Sequence, residues 1–267
     1  MYALPRPPDL HIHWRQDGDP DGLPVVFANS LGTDLRLWDK VVARMPQGLR
    51  LIRYDKRGHG LSSAPPGPYA MADLRRDLEA LMDHLELRDC VLVGLSIGGM
   101  IAQDLAAGRL DLVRALVLSN TAPKIGTTEL WETRIAEVNS QGTASMAPGI
   151  MERWFSKAFR ETEECALWQQ MVAATPDHGY AGCCAAIAET DLYEQTSTLR
   201  LPTLVIGGSE DGSTPPDLTG ELASLIPGAT HALIRGAGHL PCVEAPDVYV
   251  EHLTGLLAGL GLLDPAS

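Results

Sequence analysis

The stretch Cys90-Val-Leu-Val-Gly94-Leu-Ser96-Ile-Gly98-Gly99 constrains this chain more than any other. Val91 to Val93 form an apolar run that reads as a buried parallel strand. From Gly98 onward, Met100, Ile101, Leu105 and Ala106 carry a helical spacing. Gly-x-Ser-x-Gly lies between the two. A strand that turns sharply into a helix forces the residue at the turn into a strained backbone. Glycines on either side leave room that a side chain would crowd. Such a turn holds the Ser96 hydroxyl clear of the sheet edge and aims the Ile97 N–H and the positive helix end at the same point. Gly-x-Ser-x-Gly alone also recurs as an ordinary turn. Here the strand before it and the helix after it supply the context its chemistry requires.

The rest of the chain repeats this alternation. Strands are expected over His11 to Arg15, Pro24 to Ala28, Leu49 to Tyr54, Arg114 to Leu118, Pro202 to Gly207 and Thr230 to Ile234. Helices fall between them: a short one carrying Trp38, Val41, Val42 and Met45, then Met71 to Leu85, Leu218 to Leu225 and Val248 to Leu262. In the second of these, Leu74, Leu78, Leu81, Met82 and Leu85 share one face. This pattern predicts an α/β fold with a mostly parallel, doubly wound sheet. Strand signal fades between Thr121 and Leu199, where three of the five Trp and two of the three Phe lie. We read residues 121–199 as a helical cap inserted over the carboxyl edge of a core formed by 1–120 and 200–267. The plainer reading is a helical subdomain whose aromatics pack only against each other.

Charge and cysteine usage narrow the function classes. Lys and Arg number 21 against 34 Asp and Glu, a formal charge of −13, which argues against nucleic acid and anionic membrane surfaces as partners. An anionic substrate would therefore need a local Arg or Lys. The N-terminus lacks a basic-then-apolar leader pattern, and no apolar run reaches membrane-spanning length. Five scattered cysteines read as reduced thiols, so a cytoplasmic location is expected. Adjacent Cys183 and Cys184 read as small residues in a cap helix. His11-x-His13 has no nearby third ligand and reads as strand surface, so no metal is expected. No cofactor is expected either. Gly94-x-Ser96 lacks the Gly-x-Gly start of a dinucleotide loop, and no Gly-Lys-Ser/Thr phosphate loop occurs. The sequence leaves a homo-oligomer open.

A nucleophilic serine needs a base to take its proton and an acid to orient that base. After the Pro202–Gly207 strand comes Gly208-Ser-Glu210-Asp211-Gly-Ser-Thr-Pro215, and after the next strand Gly236-Ala-Gly-His239-Leu-Pro. The chain order Ser96, Asp211, His239 is that of a strand-ordered hydrolase. Glu210 rivals Asp211 for the acid role, and Asp211 is favoured. A tetrahedral oxyanion needs two donors. Ile97 N–H is one, and Leu31 N–H, in the loop Asn29-Ser30-Leu31 after the Pro24–Ala28 strand, is the other. The Ser30 hydroxyl is a candidate substrate contact. A serine at the elbow argues against chemistry that needs a carboxylate nucleophile. A non-catalytic binding protein usually shows itself by loss of a triad member, and none is lost.

With these residues placed, the chain resembles the α/β-hydrolase family from end to end, and within it the 3-oxoadipate enol-lactonases. The resemblance is most specific in Asn29-Ser-Leu-Gly-Thr33, Arg53-Tyr-Asp-Lys-Arg-Gly-His-Gly60, Ala64-Pro-Pro-Gly-Pro-Tyr69, Gly94-Leu-Ser-Ile-Gly-Gly99, Ser119-Asn-Thr-Ala122, Lys124-Ile-Gly126 and Arg153-Trp-Phe155. The chain departs from the family at Ile97, where Met is frequent, and at Lys56. The resemblance implies a small anionic lactone substrate, a five-membered enol-lactone bearing an acetate arm. Arg134, three residues after Trp131 on an expected helix, is the candidate for its carboxylate, with Lys124 second. The plain alternative for Arg134 is a solvated helix residue. Trp131 and Trp154 are candidate pocket walls. Asp55 and Arg57 are expected to hold their own loop together. A general carboxylesterase, lactonase or perhydrolase of the same fold is the second reading, since a fold alone does not choose a substrate.

Overall fold

The computed structural model describes residues 2–6 and 10–263. Eight strands form one sheet. They are β1 (Tyr2–Arg6), β2 (Leu10–Gly18), β3 (Leu23–Ala28), β4 (Leu49–Tyr54), β5 (Cys90–Leu95), β6 (Val113–Ser119), β7 (Thr203–Gly208) and β8 (Thr230–Ile234). Across the sheet the order is β1-β2-β4-β3-β5-β6-β7-β8. The β1–β2 and β2–β4 pairs are antiparallel and every other pair is parallel. The α/β expectation is met, with one strand more than the sequence suggested. β1 was hidden by its proline, Pro5. Pro5 pairs opposite His11 on the outermost strand, where a missing N–H disturbs only one neighbour.

Burial explains the strand sequences. All six residues of β5 are buried, because helices cover both faces of the sheet there, and its run is accordingly apolar throughout. β2 lies near the edge and alternates: Ile12 and Trp14 are buried while His11 is exposed.

A 3₁₀ turn (Leu35–Trp38) leads into α1 (Asp39–Val42). Next come α2 (Met71–His84) and α3 (Ile97–Gly108). α2 buries Leu74, Leu78, Leu81 and Met82 and packs against α3. Between β6 and β7 the chain leaves the sheet for five helices: α4 (Thr128–Trp154), α5 (Lys157–Arg160), α6 (Glu163–Ala173), α7 (Asp177–Ala188) and α8 (Tyr193–Ser197). α4 breaks at Gly142, whose φ of 78° and ψ of 161° are not helical. The second half restarts on Asp177, which accepts hydrogen bonds from the Thr143 N–H (2.7 Å) and hydroxyl (2.9 Å). α9 (Pro216–Leu225), α10 (Pro241–Glu244) and α11 (Pro246–Gly259) complete the fold. Among the described residues no helix is long and apolar enough to cross a membrane.

The parallel strands deliver their following loops to one edge of the sheet. The loops after β3, β5, β6, β7 and β8 carry Ser30, Ser96, Asn120, Asp211 and His239 respectively.

Candidate active site

Ser96 occupies the turn between β5 and α3 with φ 58° and ψ −121°, a conformation that side-chain-bearing residues rarely adopt. The glycines around it answer to contact. A Cβ on Gly98 would lie 2.2 Å from the Ala28 carbonyl oxygen, and one on Gly94 would lie 2.3 Å from the Gly98 oxygen. The turn is further tied to β6. Ser96 N–H donates to Ser119 O (3.0 Å), and the Thr121 hydroxyl donates to Ser96 O (2.7 Å). Ile97 opens α3, so its N–H belongs to the first helical turn, which has no intrahelical acceptor.

Asp211 and His239 form a buried pair. His239 Nδ1 lies 2.9 Å from Asp211 Oδ2. That oxygen also accepts from the Thr214 hydroxyl (2.7 Å) and the Asn120 amide (2.8 Å), and Oδ1 accepts from the N–H of Ser213 (2.7 Å) and Thr214 (2.9 Å). Burial alone would raise the Asp211 pKa. The His239 charge and the donated hydrogen bonds outweigh it and hold the carboxyl below its ordinary value. With Nδ1 committed to Asp211, Nε2 of His239 is left for a reacting hydroxyl. Glu210 is exposed, and its N–H bonds Ala237 O, so Asp211 is the histidine's partner.

One cavity of about 150 Å³ brings these groups together. Ser96 and His239 line it, with Ser30 and Leu31 from the loop after β3. The Ser30 hydroxyl is buried and has no hydrogen-bond partner among the described residues. The helical insertion contributes Trp131, Arg134, Arg153, Trp154 and Tyr180. Trp154 stacks on His239 (centroids 6.5 Å apart, 29° between planes), and its carbonyl accepts the His239 N–H at 2.6 Å. Arg134 lies over the Trp131 ring at 5.5 Å and reaches the Tyr180 hydroxyl at 3.5 Å. Lys124 is elsewhere: it is exposed and pairs with Asp191 at 3.3 Å.

Several residues here went unread in the sequence. Asn120 bridges Asp211 and Gly238 O (3.3 Å), although the Ser119-Asn-Thr-Ala122 string suggested no role for it. Glu244 accepts from Gly238 N–H (2.6 Å) and from the Ser156 hydroxyl (2.6 Å), tying the His239 loop to the insertion. Arg153 lines the cavity, and among the described residues its guanidinium has no ion pair or hydrogen bond. Burial first, then the neighbouring Arg134 charge, lower its pKa. Arg153-Trp-Phe155 drew notice as a motif of the resemblance, but nothing in the spacing marked Arg153 as facing a pocket. The loop around Asp55 is structural. Asp55 accepts from Leu35 N–H (2.7 Å) and Leu61 N–H (2.9 Å) and pairs with His13 Nδ1 (2.7 Å), so His13 turns inward rather than serving as strand surface. Arg57 grips Asp77 with two hydrogen bonds, of 2.6 and 2.7 Å.

Known proteins resemble this chain in sequence and fold. A curated relative, 3-oxoadipate enol-lactonase 2 of Acinetobacter baylyi, is 34% identical over 90% of this chain and 91% of its own. The crystal structure of the enol-lactonase from Burkholderia xenovorans LB400 superposes with a TM-score of 0.90 at 35% identity, covering 93% of this chain and 97% of that one. A thermophilic esterase from Thermogutta terrifontis, solved with malate bound, superposes with a TM-score of 0.88 at 30% identity, covering 95% of each chain. The Alpha/beta hydrolase family model matches residues 25–252, and the chain belongs to that family.

Proposed function

We propose that this protein is a serine carboxylic ester hydrolase that opens 3-oxoadipate enol-lactone to 3-oxoadipate, within the β-ketoadipate route of aromatic-acid breakdown. The observation that carries the reading is a single small cavity lined by Ser96, by His239 backed by Asp211, and by two arginines in a chain of net charge −13. The named activities of the relatives above support the substrate. Residues 121–199 serve as a cap over the core, and the five free, buried cysteines suit a reducing cytoplasm.

The reaction follows from the geometry. Ser96 Oγ attacks the lactone carbonyl carbon while its proton passes to His239 Nε2. Asp211 stabilises the imidazolium. The N–H groups of Leu31 and Ile97 receive the oxyanion, at the positive end of α3. The carbonyl carbon–ring oxygen bond then breaks. The leaving enol oxygen regains a proton from His239 and tautomerises to the ketone. Water, deprotonated by His239, attacks the acyl carbon, and 3-oxoadipate departs with Ser96 restored. Arg134 and Arg153 hold the acetate carboxylate, Ser30 supplies a hydroxyl donor, and Trp131 and Trp154 wall the ring.

The test is ring opening of the enol-lactone by the wild type and by Ser96→Ala, with p-nitrophenyl acetate alongside. Lactone hydrolysis that is lost in Ser96→Ala, and far more efficient than aryl-ester cleavage, is the expected result. Cleavage of the ester through Ser96 with the lactone untouched would instead favour the second reading, a general esterase. The similarity to the Thermogutta esterase keeps that reading in view.

A further inference from the structure

Lys56 is buried, at 2% exposure, and no carboxylate lies within ion-pair distance of it among the described residues. An ammonium out of water without a counter-ion is costly, so its placement calls for a reason. Its Nζ donates to Ser30 O at 2.5 Å and to Thr33 O at 3.2 Å. Both carbonyls belong to the loop after β3 that borders the cavity. Ser30 O also accepts from the Thr33 hydroxyl (2.9 Å) and N–H (3.3 Å), so the loop does not depend on Lys56 for that bond.

The carbonyl of Ser30 and the N–H of Leu31 belong to one peptide unit. In a planar trans peptide the two point in opposite directions. A cation drawn onto the oxygen fixes the plane and, by polarising the unit, strengthens the N–H as a donor. We propose that Lys56 is a positioning residue for the oxyanion hole, whose ammonium orients and polarises the Ser30–Leu31 peptide so that the Leu31 N–H meets the developing oxyanion. This rests on the acyl-enzyme reading above.

The groups facing Lys56 are Asp34 from the loop after β3, Asp55 and His59 from its own loop, and Cys183 from α7. Burial lowers the Lys56 pKa to about 8, against the favourable Cys183, Asp55 and Asp34 contributions. His59 stays neutral across the alkaline range, and the buried Cys183 thiol is pushed up to about 12. Lys56 is thus the member of this cluster that changes charge just above neutrality.

The experiment is the pH dependence of kcat on the lactone and on p-nitrophenyl acetate for the wild type, Lys56→Met, Lys56→Arg and Ser96→Ala. The wild-type kcat is expected to fall with a midpoint near pH 8. Lys56→Met is expected to lower kcat about tenfold or more at pH 7, with KM within about threefold, and to lack that limb. At pH 7 its Tm should hold or rise, because a buried charge has been removed; a merely structural lysine would show the opposite. Lys56→Arg, which keeps a charge that does not titrate, should also lose the limb, and it serves if Lys56→Met does not fold. A wild-type kcat flat from pH 7 to 9.5 would overturn the proposal. So would a Lys56→Met kcat within twofold of wild type, or a limb that survives in either variant. Activity surviving in Ser96→Ala would overturn the acyl-enzyme reading itself.

Discussion

The side-chain amide of Asn120 lies 2.8 Å from Asp211 Oδ2, joining the loop after β6 to the loop after β7 across 91 residues of sequence. Asn120 itself sits at φ 46°, which Asn tolerates better than most residues. Its Oδ1 is held by the Ser119 hydroxyl at 2.9 Å, so its amide is fixed toward the carboxylate. Asn120→Gly keeps the backbone and removes the donor. A lost bond to the ionised form raises the Asp211 pKa. We expect kcat to fall about tenfold, in line with one charge-assisted hydrogen bond, and the acid limb of the kcat profile to move to higher pH. A pH–rate profile of this variant, superimposable on the wild type, would remove Asn120 from the site.

Ser96 stores strain. A non-glycine residue at φ 58°, ψ −121° costs on the order of 1–3 kcal/mol. Ser96→Gly should abolish hydrolysis yet raise Tm, by roughly 2–4 °C per kcal/mol released in a chain of this size. Ser96→Ala should be equally inactive without that gain. Calorimetry on the three proteins decides the point: equal melting temperatures would show that the turn is not strained.

Two arginines share the cavity, and their surroundings differ. Arg134 is engaged by Trp131 and Tyr180, whereas among the described residues the Arg153 guanidinium has no hydrogen bond or ion pair. Arg153→Ala is therefore expected to raise KM for the anionic lactone about 10- to 100-fold, as for one lost charge-assisted contact. The KM for neutral p-nitrophenyl acetate should stay within about twofold. Arg134→Ala should act in the same direction and less strongly. Equal losses on both substrates would mean that the arginines support the fold and not the carboxylate.

Much of this arrangement was readable beforehand, for physical reasons. β5 and the Ser96 turn were legible because a fully buried strand is apolar and a tight turn admits only glycine at its flanks. Asp211 and His239 were legible because parallel strands bring their following loops to one edge. β1 was not, because proline suppresses strand signal everywhere except at an edge, and the sequence does not announce which strand is the edge. Asn120, Glu244 and Lys56 were unread for a common reason. Each acts through a partner distant in sequence, and neither periodicity nor spacing reports on pairing between loops.

The loop that carries Leu31 is also held by a neutral histidine. The Gly32 N–H donates to His59 Nε2 at 2.9 Å, a bond that only unprotonated imidazole can accept. Burial, then the Lys56 charge, lower the His59 pKa well below 6.5 despite a bond with Arg57 O. Below about pH 6.5 the unfolded chain therefore binds a proton at this residue and the folded chain does not. Stability must fall as pH falls through this window, by up to about 1.4 kcal/mol per pH unit. His59→Gln keeps an acceptor for Gly32 and cannot titrate, so its melting temperature should decline less than the wild type's between pH 6.5 and 5. Parallel declines in the two proteins would assign the acid sensitivity to other groups. A shallower decline would show that the loop carrying Leu31 rests on a residue that must remain uncharged for the loop to hold its shape.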